Sequence, residues 1–117
     1  MTREEILKAF VQLGEVMRAL GAGAAYSGYS LGITEEEYES LNQLIIREKV
    51  YNGWFTEENV RKSVLALGNE LSPEKLNDWL EPYNYTDSPK TVAVIMAGNI
   101  PLVGFHDFMC VLFSGNK

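Results

Sequence analysis

An apolar stretch near the C-terminal end of the sequence, residues 92–116, most constrains the fold. It opens with Val-Ala-Val-Ile-Met, an aliphatic run without polar alternation, which is typical of a strand covered on both faces. A Gly-Asn turn, a helix from Pro101 to Ser114 and a Gly stop are predicted to follow. Such a strand belongs inside a parallel sheet, and no second strand of this quality exists upstream. We therefore expect the front part of a larger α/β protein.

The first two-thirds of the chain is predicted to be helical. Thr2 with Glu5 and Thr34 with Glu37 form two capping boxes, Thr56 caps a third helix, and Ser72-Pro73 opens a fourth. Apolar residues recur at spacings of three and four behind each cap, which places them on one face of each helix. The predicted faces are Ile6, Phe10, Leu13, Met17 and Leu20; Tyr38, Leu41, Leu44 and Ile45; Val60, Val64, Leu67 and Leu71; and Leu76, Trp79 and Leu80.

These patterns divide the chain into three parts. Residues 1–81 form an N-terminal helical region of about four helices, residues 82–89 form a turn-rich connector, and residues 90–117 form the first strand and helix of a truncated cofactor-binding domain. The predicted fold class is thus an α/β fragment, in which the first strand-helix unit of a parallel-sheet nucleotide-binding domain follows the helices. The helix from Pro101 is apolar nearly all round, so we expect it to be buried.

Charge and composition exclude several classes of function. The net charge is −6, and residues 1–87 carry 15 acidic against 8 basic side chains, which argues against nucleic acid or an anionic membrane as partner. The single cysteine, Cys110, excludes a disulfide framework and a multi-thiolate metal site. No signal peptide and no apolar run of about 20 residues is found. We expect a cytoplasmic protein that does not span a membrane and binds no metal.

Four polar or reactive side chains near the C-terminal end are candidates for a function. Asn99 lies between the predicted strand and helix, where its carboxamide could stabilise an oxyanion, or could simply cap the helix. His106 and Asp107 lie one turn into that helix, where packing or a local hydrogen bond is the preferred interpretation, because the sequence shows no adjacent nucleophile. Cys110 is surrounded in sequence by apolar residues, which predicts a raised pKa and an inert thiol.

Two further motifs favour a structural interpretation. The glycines between Leu20 and Gly28 lack the preceding strand and the spacing of a dinucleotide fingerprint, which favours an interhelix connection over a ligand-binding loop. The run of three glutamates from Glu35 is the exposed first turn of a helix, where the helix dipole stabilises negative charge.

The segment Met-Ala-Gly-Asn-Ile-Pro-Leu from Met96, followed by Ser-Gly-Asn from Ser114, resembles the aldehyde dehydrogenase superfamily. Together with Trp-Phe-Thr-Glu-Glu-Asn-Val-Arg at residues 54–61, it is more specifically similar to the bacterial acyl-CoA reductases of the long-chain fatty-acyl reductase type. The close match covers residues 92–116, and the match at residues 54–61 is looser. Gly98 departs from the ordinary dehydrogenases, which carry a bulky aromatic residue there.

This resemblance implies NADPH-dependent reduction of an acyl-CoA, or another acyl thioester, to an aldehyde through an acyl-cysteine intermediate. It implies that Asn99 holds the oxyanion and that Met96, Ala97 and Gly98 run beside the cofactor. The catalytic cysteine is expected outside this chain, since Cys110 does not match its position, and the chain alone is expected to be inactive.

Two other interpretations remain open from the sequence. The chain could be a non-catalytic helical interaction module that docks on a partner chain, or a remnant that binds NADPH without chemistry. We also expect self-association, either through pairing of residues 91–96 between two copies, because unpaired edges are templates for association, or through burial of the last helix between copies.

Overall fold

The computed structural model describes all 117 residues and contains helices as its only regular secondary structure. Five α-helices follow one another along the chain, with a 3-10 helix after the second. They are α1 Arg3–Gly21, α2 Glu35–Arg47, the 3-10 helix Glu48–Val50, α3 Glu57–Glu70, α4 Pro73–Leu80 and α5 Phe105–Phe113. Residues 81–104 connect α4 to α5 without any helix or strand.

The predicted helix starts in the first part of the chain are confirmed. Both capping boxes are present: the Thr2 hydroxyl accepts from the Glu5 N–H while the Glu5 carboxylate accepts from the Thr2 N–H, and Thr34 and Glu37 repeat the pattern. The hydroxyls of Thr56 and Ser72 cap α3 and α4. These bonds satisfy N–H groups that no helical carbonyl can reach, which is why each helix begins where the sequence predicts.

Helices α1 and α3 approach each other closely because glycines lie at their contact. A Cβ added at Gly21 would lie 2.5 Å from the Leu65 nitrogen. A Cβ added at Gly14 would lie 2.8 Å from the Cβ of Leu71, the residue that follows α3. On the opposite helix, a Cβ at Gly68 would lie 3.0 Å from the Arg18 nitrogen. No side chain larger than hydrogen fits at these positions without a shift, so the glycines set the spacing of this helix pair.

Two arginines connect the helix ends. The Arg61 guanidinium of α3 donates to the Leu20 carbonyl at 2.6 Å, to Asn42 Oδ1 at 2.7 Å and to the Glu57 carboxylate at 3.2 Å. It therefore joins α1, α2 and α3. Arg18 of α1 donates to the Gly68 carbonyl at 2.7 Å, near the end of α3. Free carbonyls at a helix C-terminus carry partial negative charge, and these cations satisfy them.

The core consists of thirteen buried apolar residues contributed by all five helices and by Leu71. The predicted face of α2 is only half buried, because Tyr38 and Ile45 are buried whereas Leu41 and Leu44 are exposed. The core residues are Ile6, Phe10, Val16, Met17, Leu20, Tyr38, Ile45, Val64, Leu71, Leu76, Leu80, Met109 and Phe113.

Helix α5 attaches to the rest through aromatic rings. The Phe10 ring of α1 lies 5.0 Å from Phe113, 6.0 Å from Phe105 and 6.1 Å from Phe108, centroid to centroid. Trp79 of α4 meets Phe113 edge to face at 5.9 Å. Edge and tilted arrangements of this kind are the favourable ones for aromatic pairs.

The predicted helix from Pro101 to Ser114 is shorter in the structure. Residues 101–104 form turns, α5 begins at Phe105, and its N-cap is Gly104 without a side-chain hydrogen bond. Leu102 adopts a left-handed φ of 58°, which a right-handed helix cannot contain. The helix is also incompletely covered, since Phe108 keeps 41% of its surface exposed.

The predicted α/β fold class is wrong for this chain. The structure contains no strand and no sheet, and residues 91–96 do not form the first strand of a parallel-sheet domain. A strand is stable only when its backbone groups pair with a neighbouring strand. One hydrogen bond reaches this segment, from the Val92 N–H to the Lys117 carbonyl at 2.8 Å, and a second lies directly before it, from the Lys117 N–H to the Lys90 carbonyl at 2.9 Å. Pairing at a single residue is not enough to form a sheet. The segment nevertheless has the high aliphatic content that is typical of a buried strand.

None of the helices combines the length and the apolar character needed to cross a lipid bilayer.

Candidate functional site

The predicted site residues 96–99 lie in the irregular connection before α5 and are tied to the loop before α3. Asn52 Nδ2 donates a 2.7 Å hydrogen bond to the Gly98 carbonyl, and Asn52 Oδ1 accepts from the Trp54 N–H at 3.1 Å. One side chain therefore bridges the two stretches that carry the sequence resemblance, residues 54–61 and 92–116. No feature of the sequence singled out Asn52 for this role.

Asn99 is exposed at a bend and makes no hydrogen bond within the chain. The alternative that it caps the following helix is wrong, because α5 begins six residues later with Gly104 as its N-cap. Its carboxamide donor is thus free for a group outside the fold. A neutral amide can donate to a developing negative charge without changing its own protonation state.

Met96 and Gly104 fix the shape of the loop that carries Asn99. A Cβ at Gly104 would collide with the Met96 side chain, so the thioether lies directly against the backbone of this glycine. Leu102, between them in sequence, has the left-handed φ described above. A non-glycine residue in this conformation costs about 1–2 kcal/mol, and such strain is concentrated at binding and catalytic sites. The contact of Met96 with Gly104 and the conformation of Leu102 thus shape this loop.

The backbone of residues 93–97 makes no hydrogen bond, and it runs without a bend up to Gly98. Ile95 and Met96 are 97% and 52% exposed. A Cβ at Gly98 would touch nothing within 4 Å, so a flat ligand could approach the backbone there. The amides of Ala97 and Gly98 are therefore free to donate to a group outside the fold.

His106 and Cys110 lie one turn apart on α5, with the sulfur 3.6 Å from His106 Nε2. The four-residue spacing of these two residues, which places them on one helix face, is the sequence signal for this contact. Cys110 is exposed, but partial desolvation of its thiol raises the pKa, and the nearby Asp107 carboxylate raises it further, in the predicted direction. A thiol kept protonated in this way is a poor nucleophile.

The His106 ring also packs against Trp79, with centroids 5.5 Å apart. The two rings line a cavity of about 350 Å³ together with Cys110 and Phe113. Packing and a local contact thus account for His106, as the sequence interpretation preferred.

Three tyrosines form a cluster that the sequence analysis did not identify. Tyr29 stacks on Tyr38 at 5.6 Å, and Tyr26 meets both rings at 5.5 and 5.7 Å. The Tyr38 hydroxyl donates to the Ala24 carbonyl at 2.6 Å and the Tyr26 hydroxyl to the Ile33 carbonyl at 3.0 Å. Burial raises the pKa of Tyr38 to about 12. The glycine-containing loop between α1 and α2 is therefore a packed connection, and its ordered tyrosines give it a structural role.

No group of three or more histidine, cysteine, aspartate or glutamate side chains is arranged to hold a metal ion. Comparisons of the chain with protein-family models, with curated proteins and with solved structures find no match.

Proposed function

We propose that this chain acts as part of an NADPH-dependent acyl-CoA reductase that converts an acyl thioester to an aldehyde. Asn99 is the proposed catalytic residue, Met96, Ala97 and Gly98 are the proposed cofactor-contacting residues, and the cysteine that carries the acyl group lies outside these 117 residues. The observation that carries the proposal is the Asn52 side chain, which joins residues 54–61 to Gly98. The loop that leads into residues 54–61 is thus bonded to the segment 92–116, although thirty residues separate the two stretches.

The chain's own groups have separate roles in this proposal. The free Asn99 amide donates a hydrogen bond to the thioester oxygen as negative charge develops on it, an interaction that is stronger in the transition state than in the ground state. The unpaired N–H groups of Ala97 and Gly98 and the open space at Gly98 receive the cofactor, which supplies hydride when bound. Met96, packed on Gly104, holds the loop in place.

The test uses the product of the complete reading frame. Incubation with a long-chain acyl-CoA and NADPH should give loss of NADPH absorbance and an equal amount of aldehyde, with no reaction when either substrate is omitted. An acyl-enzyme trapped without NADPH and located by mass spectrometry would identify the cysteine. A reading frame that ends at residue 117 with no enzyme domain beside it, or a product that never consumes NADPH, would contradict the proposal.

A second candidate is a non-catalytic helical interaction module that docks on a partner chain. It is favoured by apolar side chains left in solvent on two connected loops. Tyr51 and Trp54 are 84% and 69% exposed, and Ile95 lies almost fully in solvent. The reading-frame result above separates this candidate from the reductase.

Self-association is also part of the proposal. Its support is the exposed apolar segment 91–96 and the exposed Phe108 on α5. A remnant that binds NADPH but does no chemistry would be recognised by cofactor binding without turnover.

A further inference from the structure

The backbone from Thr91 to Ala97 presents two unequal edges. Lys90 and Val92 both bond to the same residue, Lys117, which is the pattern of an extended chain, and no helix, turn or bend follows up to Ala97. In an extended chain the N–H and C=O groups of successive residues point to opposite sides. On the even-numbered side, the Val92 N–H and the Lys90 carbonyl are already bonded to Lys117. On the odd-numbered side, no N–H or C=O of Thr91, Ala93, Ile95 or Ala97 has a partner. Eight strong hydrogen-bonding groups thus stand open along one edge.

From this arrangement we propose that two copies of the chain associate by antiparallel pairing of their odd-numbered edges across a two-fold axis. The register that uses all eight groups of each copy places Ala93 opposite Ile95 of the second copy and Thr91 opposite Ala97. Residues of a hydrogen-bonded antiparallel pair exchange both bonds, so the contact is the same from either side. Pro89, which has no N–H, ends the edge on one side, and the bend at Gly98 ends it on the other.

A second copy is the occupant that the charge distribution favours. No residue from Thr91 to Phe105 carries a charge, so two such segments meet without repulsion. The acidic side chains are concentrated in residues 1–87, outside the segment that would pair. Ile95, at 97% exposure, would lie beside the small Ala93 of the second copy, where a large side chain has room.

This inference rests on the proposed self-association and is independent of the reductase assignment. It is tested by sedimentation equilibrium over a dilution series of the full 117-residue chain. Ala93→Pro removes an N–H from the odd-numbered edge in both copies, and Val94→Pro removes one from the other edge. Neither N–H is bonded within the chain, so both variants should melt like the parent protein. Two lost hydrogen bonds predict a dimer Kd raised about 10–100-fold for Ala93→Pro, and a Kd within about twofold of the parent for Val94→Pro.

Amide hydrogen exchange gives a second measurement that does not depend on the variants. The Ala93 and Ile95 amides should be protected at high concentration and exchange rapidly on dilution, whereas the Val94 and Met96 amides exchange rapidly throughout. Equal weakening by both proline variants would overturn the edge assignment. A dimer that survives both variants but is lost in Phe108→Ser would place the contact on α5 and overturn this inference while keeping self-association. A monomer at every concentration would overturn both.

Discussion

Arg61 Nη1 donates a 2.6 Å hydrogen bond to the carbonyl of Leu20, in the last turn of α1. The same guanidinium reaches Asn42 on α2, and its side chain is only 17% exposed. A partly buried cation with fixed acceptors on two other helices positions those helices relative to one another. The exposed Glu57 carboxylate, 46% accessible, adds little to this, because an ion pair in solvent is weak.

Replacing Arg61 should therefore destabilise the helical region. Arg61→Ala removes the charged donor from the Leu20 carbonyl, which keeps only its bond from the Gly23 N–H, and leaves Asn42 Oδ1 without a donor. This is expected to lower the free energy of unfolding by about 2–3 kcal/mol. Arg61→Lys should recover less than half of the lost stability, because the lysine ammonium lacks the planar, forked set of donors with which arginine reaches both acceptors. Urea denaturation measures the effect, with the exposed neighbour changed in Lys62→Ala as the control. A loss no larger than that of the control would show that Arg61 has no such role.

The two glycines Gly21 and Gly53 should respond oppositely to alanine. Gly21→Ala drives a methyl group into the Leu65 backbone, where no flexible side chain can yield, and should cost about 1–3 kcal/mol. Gly53 has open space at its Cβ position and no positive φ. Gly53→Ala should therefore be neutral or stabilise the protein by up to about 1 kcal/mol, through the unfolded chain. Thermal melts of the pair provide the comparison, and equal shifts in Tm would refute the close approach of α1 and α3.

Stability should fall at alkaline pH through Tyr38. Its phenol has a pKa of about 12 in the folded protein, raised by burial from an ordinary value of 10. The fold therefore favours the protonated form, so the stability is unaffected below pH 10 and is lost progressively as the pH rises from 10 toward 12. Unfolding midpoints across this range measure the decline. Tyr38→Phe should flatten it, whereas Tyr51→Phe, at a site 84% exposed, should leave it unchanged. A decline of the same size in Tyr38→Phe would exclude this tyrosine as its source.

In the proposed reductase, Asn99→Ala tests a catalytic role of this residue separately from a role in stability. Loss of one oxyanion donor is expected to lower turnover about 10²–10³-fold, with a smaller change in acyl-CoA affinity. Asn99 caps no helix and makes no hydrogen bond in the fold. The Tm of Asn99→Ala should therefore change no more than the Tm of Asn69→Ala, a substitution at another exposed asparagine. Unchanged turnover would remove Asn99 from the reaction.

The helices of residues 1–81 could be predicted because their signals are local. A capping box such as that of Thr2 and Glu5 acts within four residues, and the apolar spacing behind it needs only a hydrophobic neighbour on one side. The last third could not be predicted in this way. Residues 91–96 can become a strand only if a second strand pairs with them, and that strand must come from a distant part of the sequence or from another chain. The apolar pattern shows that the segment suits a sheet, but it does not show whether a partner strand exists. Pro101 likewise suits the first turn of a helix, but Leu102 has a left-handed conformation, and α5 therefore begins only at Phe105.

For a related reason, only part of the candidate site could be predicted from the sequence. Asn99 and the positions before it could be chosen by their place after a run of aliphatic residues. The Asn52 contact with Gly98 joins positions 46 apart along the chain, and the tyrosine cluster depends on how the loop after α1 folds back on α2. Such contacts follow from tertiary packing, for which neither spacing nor composition gives a signal.

The attachment of α5 through Phe10 has a consequence for the order in which the molecule opens. Three phenylalanine rings of α5 converge on this one ring, whereas α1 and α3 share the most extensive contact between any two helices. Residues 86–117 should then behave as a separate cooperative unit that detaches while the front helices stay folded, since local opening is set by the few contacts that must break. In the cell, proteases would cut first between α4 and α5 and leave the front helices intact.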